Sequence, residues 1–212
     1  MITMKESEHI RLNEIKWDKW APVADGKGWR YDYLRKGQKH VISLADTKEN
    51  MNFLDIGCGT GWAVGQAAKL VNNKGLFYGV DISPKMIEKA KDNFKGFNNF
   101  HFIKANSEAT TLESDLFDII ICTNSFHHYL HPEKVMKEIH RVLKKGGKIY
   151  ILDPIADYWF MKVIDKIMRL MDPAHVKIHS SKEFSTLMGN AGIKYIGCDT
   201  TNKQHKVQIG EK

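Results

Sequence analysis

A glycine-rich turn, a pair of spaced aspartates and a run of histidines are the residues of this sequence whose types and spacing suit chemistry. Leu54-Asp55-Ile56-Gly57-Cys58-Gly59-Thr60-Gly61-Trp62 carries three glycines at alternate positions. Glycine there permits a tight turn and lets a ligand approach the backbone, with a helix N-terminus just beyond. A dinucleotide fingerprint G-x-G-x-x-G needs glycine at position 62, where Trp62 stands, and the Gly-Lys-Ser/Thr of a phosphate loop is missing too. A bulky tryptophan where a helix must approach a pyrophosphate argues for a ligand without one. Asp81 lies 20 residues after Gly61, at the end of the next apolar run. His127, His128 and His131 raise a metal, but i, i+1, i+4 spacing cannot set all three on one helical face. No cysteine or carboxylate lies close enough in sequence to complete a site, so no metal is expected. One of His127 and His128 can serve instead as general base for an oxygen or nitrogen nucleophile, its neutral form being available near pH 7. A positioning or packing role is the plainer reading of the pair. Cys58 and Cys122 read as small buried fillers.

These residues need elements to position them. Met51 to Ile56, Gly75 to Ile82, Asn99 to Ala105, Phe117 to Cys122 and Lys148 to Asp153 read as five strands. Between them Ala63, Val64, Ala67, Ala68 and Val71 recur at helical spacing. Ser83-Pro84 supplies an N-cap and a first-turn proline for a helix carrying Met86, Ile87, Ala90 and Phe94. Pro132 opens a helix with Val135, Met136, Ile139, Val142 and Leu143, expected to stop at a cationic last turn, Lys144-Lys145, and the glycines 146 and 147. Asp157 to Met171 reads as a further, largely apolar helix. A capping box, Ser180 with Glu183, starts the last one. Ile193 to Cys198 and His205 to Gly210 close the chain as two strands with a short turn between them. The alternation implies an α/β fold: a doubly wound, mostly parallel seven-stranded sheet with an antiparallel C-terminal edge hairpin. Residues 1–50 are left for an N-terminal helical cap, 51–212 for the ligand-binding domain, and 154–179 for an insertion beside the substrate pocket. In such sheets ligands bind at the carboxyl ends of the strands.

On LDIGCGTG (54–61) followed by VDIS (80–83), the chain resembles the class I S-adenosylmethionine-dependent methyltransferases. FDIIICTNSFHHYLHPEKVMKEIHRVLKKGGKIYILDP (117–154) is similar to the later motifs of the branch that makes ubiquinone and menaquinone, the type 11 methyltransferases. The resemblance covers about residues 50–153 closely and the tail loosely. It implies a Rossmann-like methyltransferase fold and S-adenosyl-L-methionine as cofactor, with S-adenosyl-L-homocysteine as product. Gly57, Cys58, Gly59 and Gly61 then form the cofactor turn. Asp81 accepts from the ribose hydroxyls, and Asp55 serves the amino group of the methionine moiety. Ile82 and Met86 wall the adenine, although Met86 reads equally as helix core. Asn106, beside Ser107, departs from the aspartate usual in the family: its amide oxygen still accepts, but without charge. Thr123 and Asn124 face the sulfonium end. The sulfonium is an activated leaving group, so in-line alignment can suffice without a base.

Outside the core pattern, Trp29, Tyr31 and Tyr33 are expected in an aromatic cap over the pocket, or as staples of an N-terminal helix to the sheet. Trp159 and Phe160, in the apolar helix after the fifth strand, are expected to line a largely apolar acceptor site. Lys162, Lys166 and Arg169 allow that helix a weak contact with a membrane surface. The 212 residues carry 32 Lys+Arg against 25 Asp+Glu, a net charge of +7. Lysines and arginines scatter over helix faces such as Lys134, Lys137 and Arg141 rather than gathering round the glycine turn, which speaks against a nucleic-acid partner. An RNA or protein methyltransferase stays open as an alternative, as does a non-catalytic cofactor-binding regulator. The preferred substrate is a small, largely apolar molecule. No apolar leader follows Met1, no apolar run reaches the ~18–20 residues of a membrane span, and three cysteines make no disulfide framework; the expected location is cytoplasmic.

Overall fold

The computed structural model describes residues 4–200 and 204–212; the turn expected at 201–203 lies outside the described residues. Two helices come first, α1 (Met4–Trp20) and α2 (Trp29–Leu44). The alternating part follows: β1 (Met51–Ile56), α3 (Trp62–Leu70), β2 (Gly75–Asp81), α4 (Pro84–Asn93), β3 (Phe100–Lys104) and β4 (Phe117–Thr123). Then come α5 (Pro132–Val142), β5 (Leu143–Pro154), α6 (Trp159–Met171), α7 (Ser181–Asn190), β6 (Lys194–Thr200) and β7 (His205–Glu211). The strands form one seven-stranded sheet in the order β3-β2-β1-β4-β5-β7-β6. β3, β2, β1, β4 and β5 are parallel, and β7 runs antiparallel to both β5 and β6. The chain reverses direction across the sheet between β1 and β4, the place where such sheets open a crevice.

Strand periodicity builds two cores. Ile119 and Ile121 of β4 join Phe53, Phe77, Tyr150 and Leu152 under α2, α3 and α4. Ile120 and Cys122, one residue out of phase, join Leu54, Val80, Ile149 and Ile151 under α5 and α7. That two-sided burial is why Ile119 to Cys122 of β4 are apolar at consecutive positions. Ser83 caps α4 by accepting from the Met86 amide at 3.1 Å, and Ser180 and Glu183 cap α7 reciprocally.

One boundary differs from the sequence reading. α5 ends at Val142, and Leu143 is already extended, paired with Phe117 across the sheet. The expected cationic last turn is the start of β5: Lys144 reaches Asp118 at 2.8 Å, and the Gly146 amide donates to the Lys212 carbonyl at 2.7 Å. Backbone pairing from two directions outcompetes one more helical turn.

The turn after β1 depends on Gly61, which caps α3 at φ +80° and would place a Cβ 2.8 Å from the Phe102 ring. Gly61→Ala should therefore cost about 2–4 kcal/mol, from left-handed strain plus overpacking. Gly146→Ala, at φ +77° with nothing within 4 Å, should cost only about 1–2 kcal/mol. Denaturant midpoints of the two variants check the difference.

Candidate functional site

A cavity of about 790 Å³ opens where β1, β2, β3 and β4 end. Its floor is the loop after each strand: Gly57 to Thr60, Asp81 and Ile82, Asn106 to Glu108, and Thr123 to Ser125. Its roof comes from α1, through Asn13, Lys16, Trp17 and Trp20, and from α2, through Tyr31, Leu34, Arg35 and Gln38. Positions 31, 34, 35 and 38 recur at helical spacing, so one face of α2 looks into the cavity.

The floor is tied by its own backbone. The Gly57 and Cys58 amides both donate to the Val80 carbonyl, at 2.9 and 3.0 Å. The Gly59 amide donates to Asp81 Oδ2 and the Ser83 amide to Asp81 Oδ1, each at 2.9 Å. Asp81 is thereby held on the wall with lone pairs left over for a ligand. Burial pushes its pKa up, and those amides oppose the rise. Gly59 has φ +53°, and a Cβ there would meet nothing nearer than Met86 Sδ at 4.0 Å, so this backbone is open to a close-lying ligand. Gly57 is needed for packing, because a Cβ would come 2.3 Å from Ser125 Oγ.

Beneath the turn lies Asp55, fully buried, with both carboxylate oxygens lacking a donor among the described residues. Burial first, and then the Asp81 charge, push its pKa up to about 8. An unpartnered buried carboxylate fits a site completed by a cationic or hydrogen-bond-donating group.

Histidines occupy the opposite end. His127 Nδ1 sits 2.9 and 3.1 Å from the two oxygens of Asp153, at the end of β5. His128 donates through Nδ1 to the Ala174 carbonyl at 2.8 Å, and its ring meets Trp17 edge-on at 5.3 Å. Burial, then the neighbouring His127 and Lys16, push the His128 pKa down to about 2, so this ring stays neutral. That makes it a poor carrier of a proton. His131 turns away to Glu6 at 2.6 Å. The fold instead brings His175 to the pair, and one ring nitrogen from each of His127, His128 and His175 lies within 4.8 Å of the others.

The roof is strapped down. Ser83 Oγ donates to Asp18 and Thr60 Oγ1 to Asp25, both at 2.6 Å. Lys89 reaches the Ala21 carbonyl at 3.1 Å, Lys16 pairs with Asp172, and His9 Nε2 donates to the His128 carbonyl at 2.8 Å.

Of the residues expected at the cofactor, Gly57, Cys58, Gly59, Asp81, Ile82, Met86, Asn106, Ser107 and Thr123 line the cavity. Asp55 and Gly61 do not: one lies under the turn and the other faces Phe102. The Asn106 side-chain oxygen accepts from the Glu108 amide at 3.0 Å. His127 and His128 are on the wall, and so is Tyr31. The other residues expected at the substrate are not. Trp29 is 84% and Trp159 78% exposed, and Tyr33, half-exposed, meets His205, itself on the cavity wall, at 3.0 Å. Phe160 packs with Ala156, Met161 and Ile178. Trp29 and Trp159 project to solvent, and α6 reaches the cavity through Met168 instead. Asp153 and His175 were missed. The strand-end position of Asp153 was a usable signal, whereas nothing local in Ala174-His175-Val176 marks His175.

The family described as "Methyltransferase domain" matches residues 47–204. The chain is 30% identical over 159 residues to an uncharacterized methyltransferase, YcgJ, of Bacillus subtilis, covering 73% of this chain and 62% of that protein. It is 32% identical over 116 residues to the ubiquinone/menaquinone biosynthesis C-methyltransferase UbiE of Wigglesworthia glossinidia brevipalpis, covering 53% of this chain and 46% of that one. The chain thus spans about half to three fifths of these curated relatives. In fold it is similar to the magnesium protoporphyrin IX methyltransferase ChlM of Synechocystis PCC 6803 with bound SAH, at TM-score 0.71 and 18% identity, over 98% of this chain and 99% of that one.

Asp55 gives a pH-dependent consequence. With a folded pKa near 8 against an ordinary 3.8, the folded chain holds a proton that the unfolded chain releases. Its contribution to stability is full below pH 3.8 and is lost as pH rises toward 8. Asp55→Asn should remove that slope and raise the melting midpoint of the ligand-free protein at pH 8 by about 2–4 °C or more, with a smaller gain at pH 5. Thermal melts across this range check it; parallel curves would show that Asp55 is not protonated on folding.

Proposed function

Given that this chain belongs to the class I S-adenosylmethionine-dependent methyltransferases, of the UbiE-like type, we propose that it methylates a small, largely apolar molecule held beneath α1 and α2. The observation that carries this reading is one roofed chamber with two ends. A pinned carboxylate and an open glycine backbone form one end; aromatic and histidine side chains form the other. Chambers of this size suit a cofactor with a small acceptor beside it.

When bound, S-adenosylmethionine supplies a methyl group on a sulfonium, already an activated leaving group. Asp81 accepts from the ribose hydroxyls through the lone pairs that Gly59 and Ser83 leave free. Ile82 and Met86 flank the base, with Asn106 and Ser107 at its polar edge. Asp55, protonated in the ligand-free fold, becomes a carboxylate under the turn when an ammonium seated above it draws the proton off. Thr123, steadied by Gln38 at 3.2 Å, stands at the end of β4 between cofactor and acceptor. The residues of α1 and α2 act as the cap, excluding water and aligning the acceptor. His127, oriented by Asp153, is the group placed to take a proton from a hydroxyl or amine acceptor. The location proposed is cytoplasmic, where Cys58, Cys122 and Cys198 stay free thiols.

Among the described residues no helix is long and apolar enough to cross a membrane. α6 nonetheless supports delivery of the acceptor from an anionic lipid surface. Trp159, Val163, Ile167 and Leu170 form one exposed apolar face, Leu170 at 88%, with Lys162 and Lys166 along its flank. An interfacial helix has this division of faces.

Three measurements test these readings. Calorimetric titration with S-adenosylhomocysteine should give saturable binding that Asp81→Ala weakens at least about 10-fold, roughly 1.4 kcal/mol. Label from methyl-tritiated cofactor should pass into solvent-extractable small molecules; label in RNA or protein alone would overturn the choice of acceptor. In co-sedimentation, the protein should pellet with phosphatidylserine-containing vesicles and not with neutral ones, and Leu170→Ser with Trp159→Ser should abolish this. Absence of binding to either vesicle would remove the lipid surface from the account.

A further inference from the structure

We propose that His127, His128 and His175 form a binding site for a divalent transition ion of the zinc class, opening onto the histidine end of the cavity. Three imidazoles converge there from two segments nearly 50 residues apart, and among the described residues no cysteine or carboxylate joins the cluster. Each ring has one nitrogen engaged by an acceptor. Asp153 takes His127 Nδ1 at 2.9 Å, the Ala174 carbonyl takes His128 Nδ1 at 2.8 Å, and Asp165 takes His175 Nε2 at 2.8 Å. An acceptor on one nitrogen fixes the proton there and leaves a lone pair on the other. This is the outer arrangement that metal-binding histidines require: a carboxylate or carbonyl behind each ring, setting its tautomer and raising its basicity.

The lone pair on His175 is the sharpest evidence. Its Nδ1 is buried and meets no donor among the described residues. A buried polar atom without a partner is costly, and beside two further imidazoles the natural complement is a cation. The supporting groups are themselves fixed. Asp165 also accepts from the Ile178 amide at 2.7 Å and from Arg169 at 2.5 Å. The Val176 and Lys177 amides both donate to the His127 carbonyl, at 3.0 and 3.1 Å, which clamps the two segments together.

The donor set selects the ion. Neutral nitrogens without oxygen ligands exclude magnesium and calcium as good fits, and suit zinc, cobalt or nickel. Bonds of about 2.0–2.1 Å in a tetrahedron bring the nitrogens to roughly 3.4 Å apart, so loading draws the rings inward by about an ångström. Three protein ligands leave a fourth position open, and His127 and His128 face the cavity. That position fits the oxygen of a phenol or enol. The ion-bound hydroxyl loses its proton to water; the oxygen–methyl bond forms as the methyl–sulfur bond breaks, the electron pair going to sulfur. With the ion present, it rather than His127 ionises the acceptor. Ion binding stands on the three histidines alone; only this last role rests on the methyltransferase reading.

The test uses the full chain after chelator treatment, titrated with cobalt(II) and with zinc(II). The expected result is one ion per chain with a dissociation constant of about 1 µM or tighter, and with cobalt the intense visible bands of four-coordination. His175→Gln should weaken binding at least about 100-fold, and Asp165→Asn, which leaves all three ligands, by about 10–100-fold. Unchanged affinity in His175→Gln, no stoichiometric binding, or the pale spectrum of six-coordinate cobalt in the unmodified chain would overturn the site. The spectrum needs no variant, so a misfolded substitution leaves the test intact. S-adenosylhomocysteine affinity measured on the same samples separates the two readings: its loss in the unmodified chain counts against the cofactor assignment, whereas absent cobalt binding with that affinity intact counts against the ion alone.

Discussion

Asp81 and the amides it collects are the interaction on which the rest of the site depends. One carboxylate joins the turn after β1 to the start of α4, by accepting from Gly59 and from Ser83. It also fixes the distance between two adjacent strand ends, because the Gly57 and Cys58 amides close on Val80 from the other side. A loop held this way needs little reorganisation when a ligand arrives, and preorganisation of polar groups is what makes them effective in a partly dry chamber. The cost is electrostatic. A second acid, Asp55, is buried nearby without a partner, and burial together with the Asp81 charge raises its proton affinity. The ligand-free fold therefore keeps a proton on Asp55 that a cationic ligand can replace.

The roof extends the same logic. Asp18 and Asp25 accept from Ser83 and Thr60, the hydroxyls at the two helix starts that border the cavity floor. α1 also reaches the histidine end through His9 and Lys16. One helix thus touches both ends of the chamber, so a change at either end is felt through the same rigid body. These contacts are partly buried polar pairs, and no described residue of α1 belongs to either apolar core, so the roof is held to the floor chiefly by hydrogen bonds and ion pairs.

What could be read in the sequence was what is local. Strand periods, the glycine turn, the Ser83 cap and the spacing to Asp81 are written in runs of a few residues, and the structure places them as those runs imply. Leu143 was misplaced because its strand pairing is made with Phe117, far away in sequence, and helical periodicity continues smoothly into it. Trp29 and Trp159 are large aromatics on helices near the cavity, but which face of a helix turns inward is decided by packing that residue type alone does not reveal. The histidine cluster shows the same limit from the other side. His127 and His128 were visible as a pair, while their third member comes from a loop whose position depends on α6 and on the Asp165 carboxylate. Asp153 lay in plain view at a strand end and lacked only its partner.

The placement of β7 has a consequence for how the molecule assembles. It follows β6 in the chain yet lies between β6 and β5 in the sheet. Until β7 inserts, β5 presents a row of unpaired backbone groups and β6 has no neighbour to bind. The sheet therefore closes by the arrival of an inner strand, a long-range step that is slow relative to helix formation. In that interval the open edge of β5, rich in apolar residues, is the part of the chain most able to pair with another copy of itself. Ribosome emergence runs from α1 toward β7, so the half of the sheet that carries Asp81 and the glycine turn is in place while the half that carries Asp153 still waits for its last neighbour.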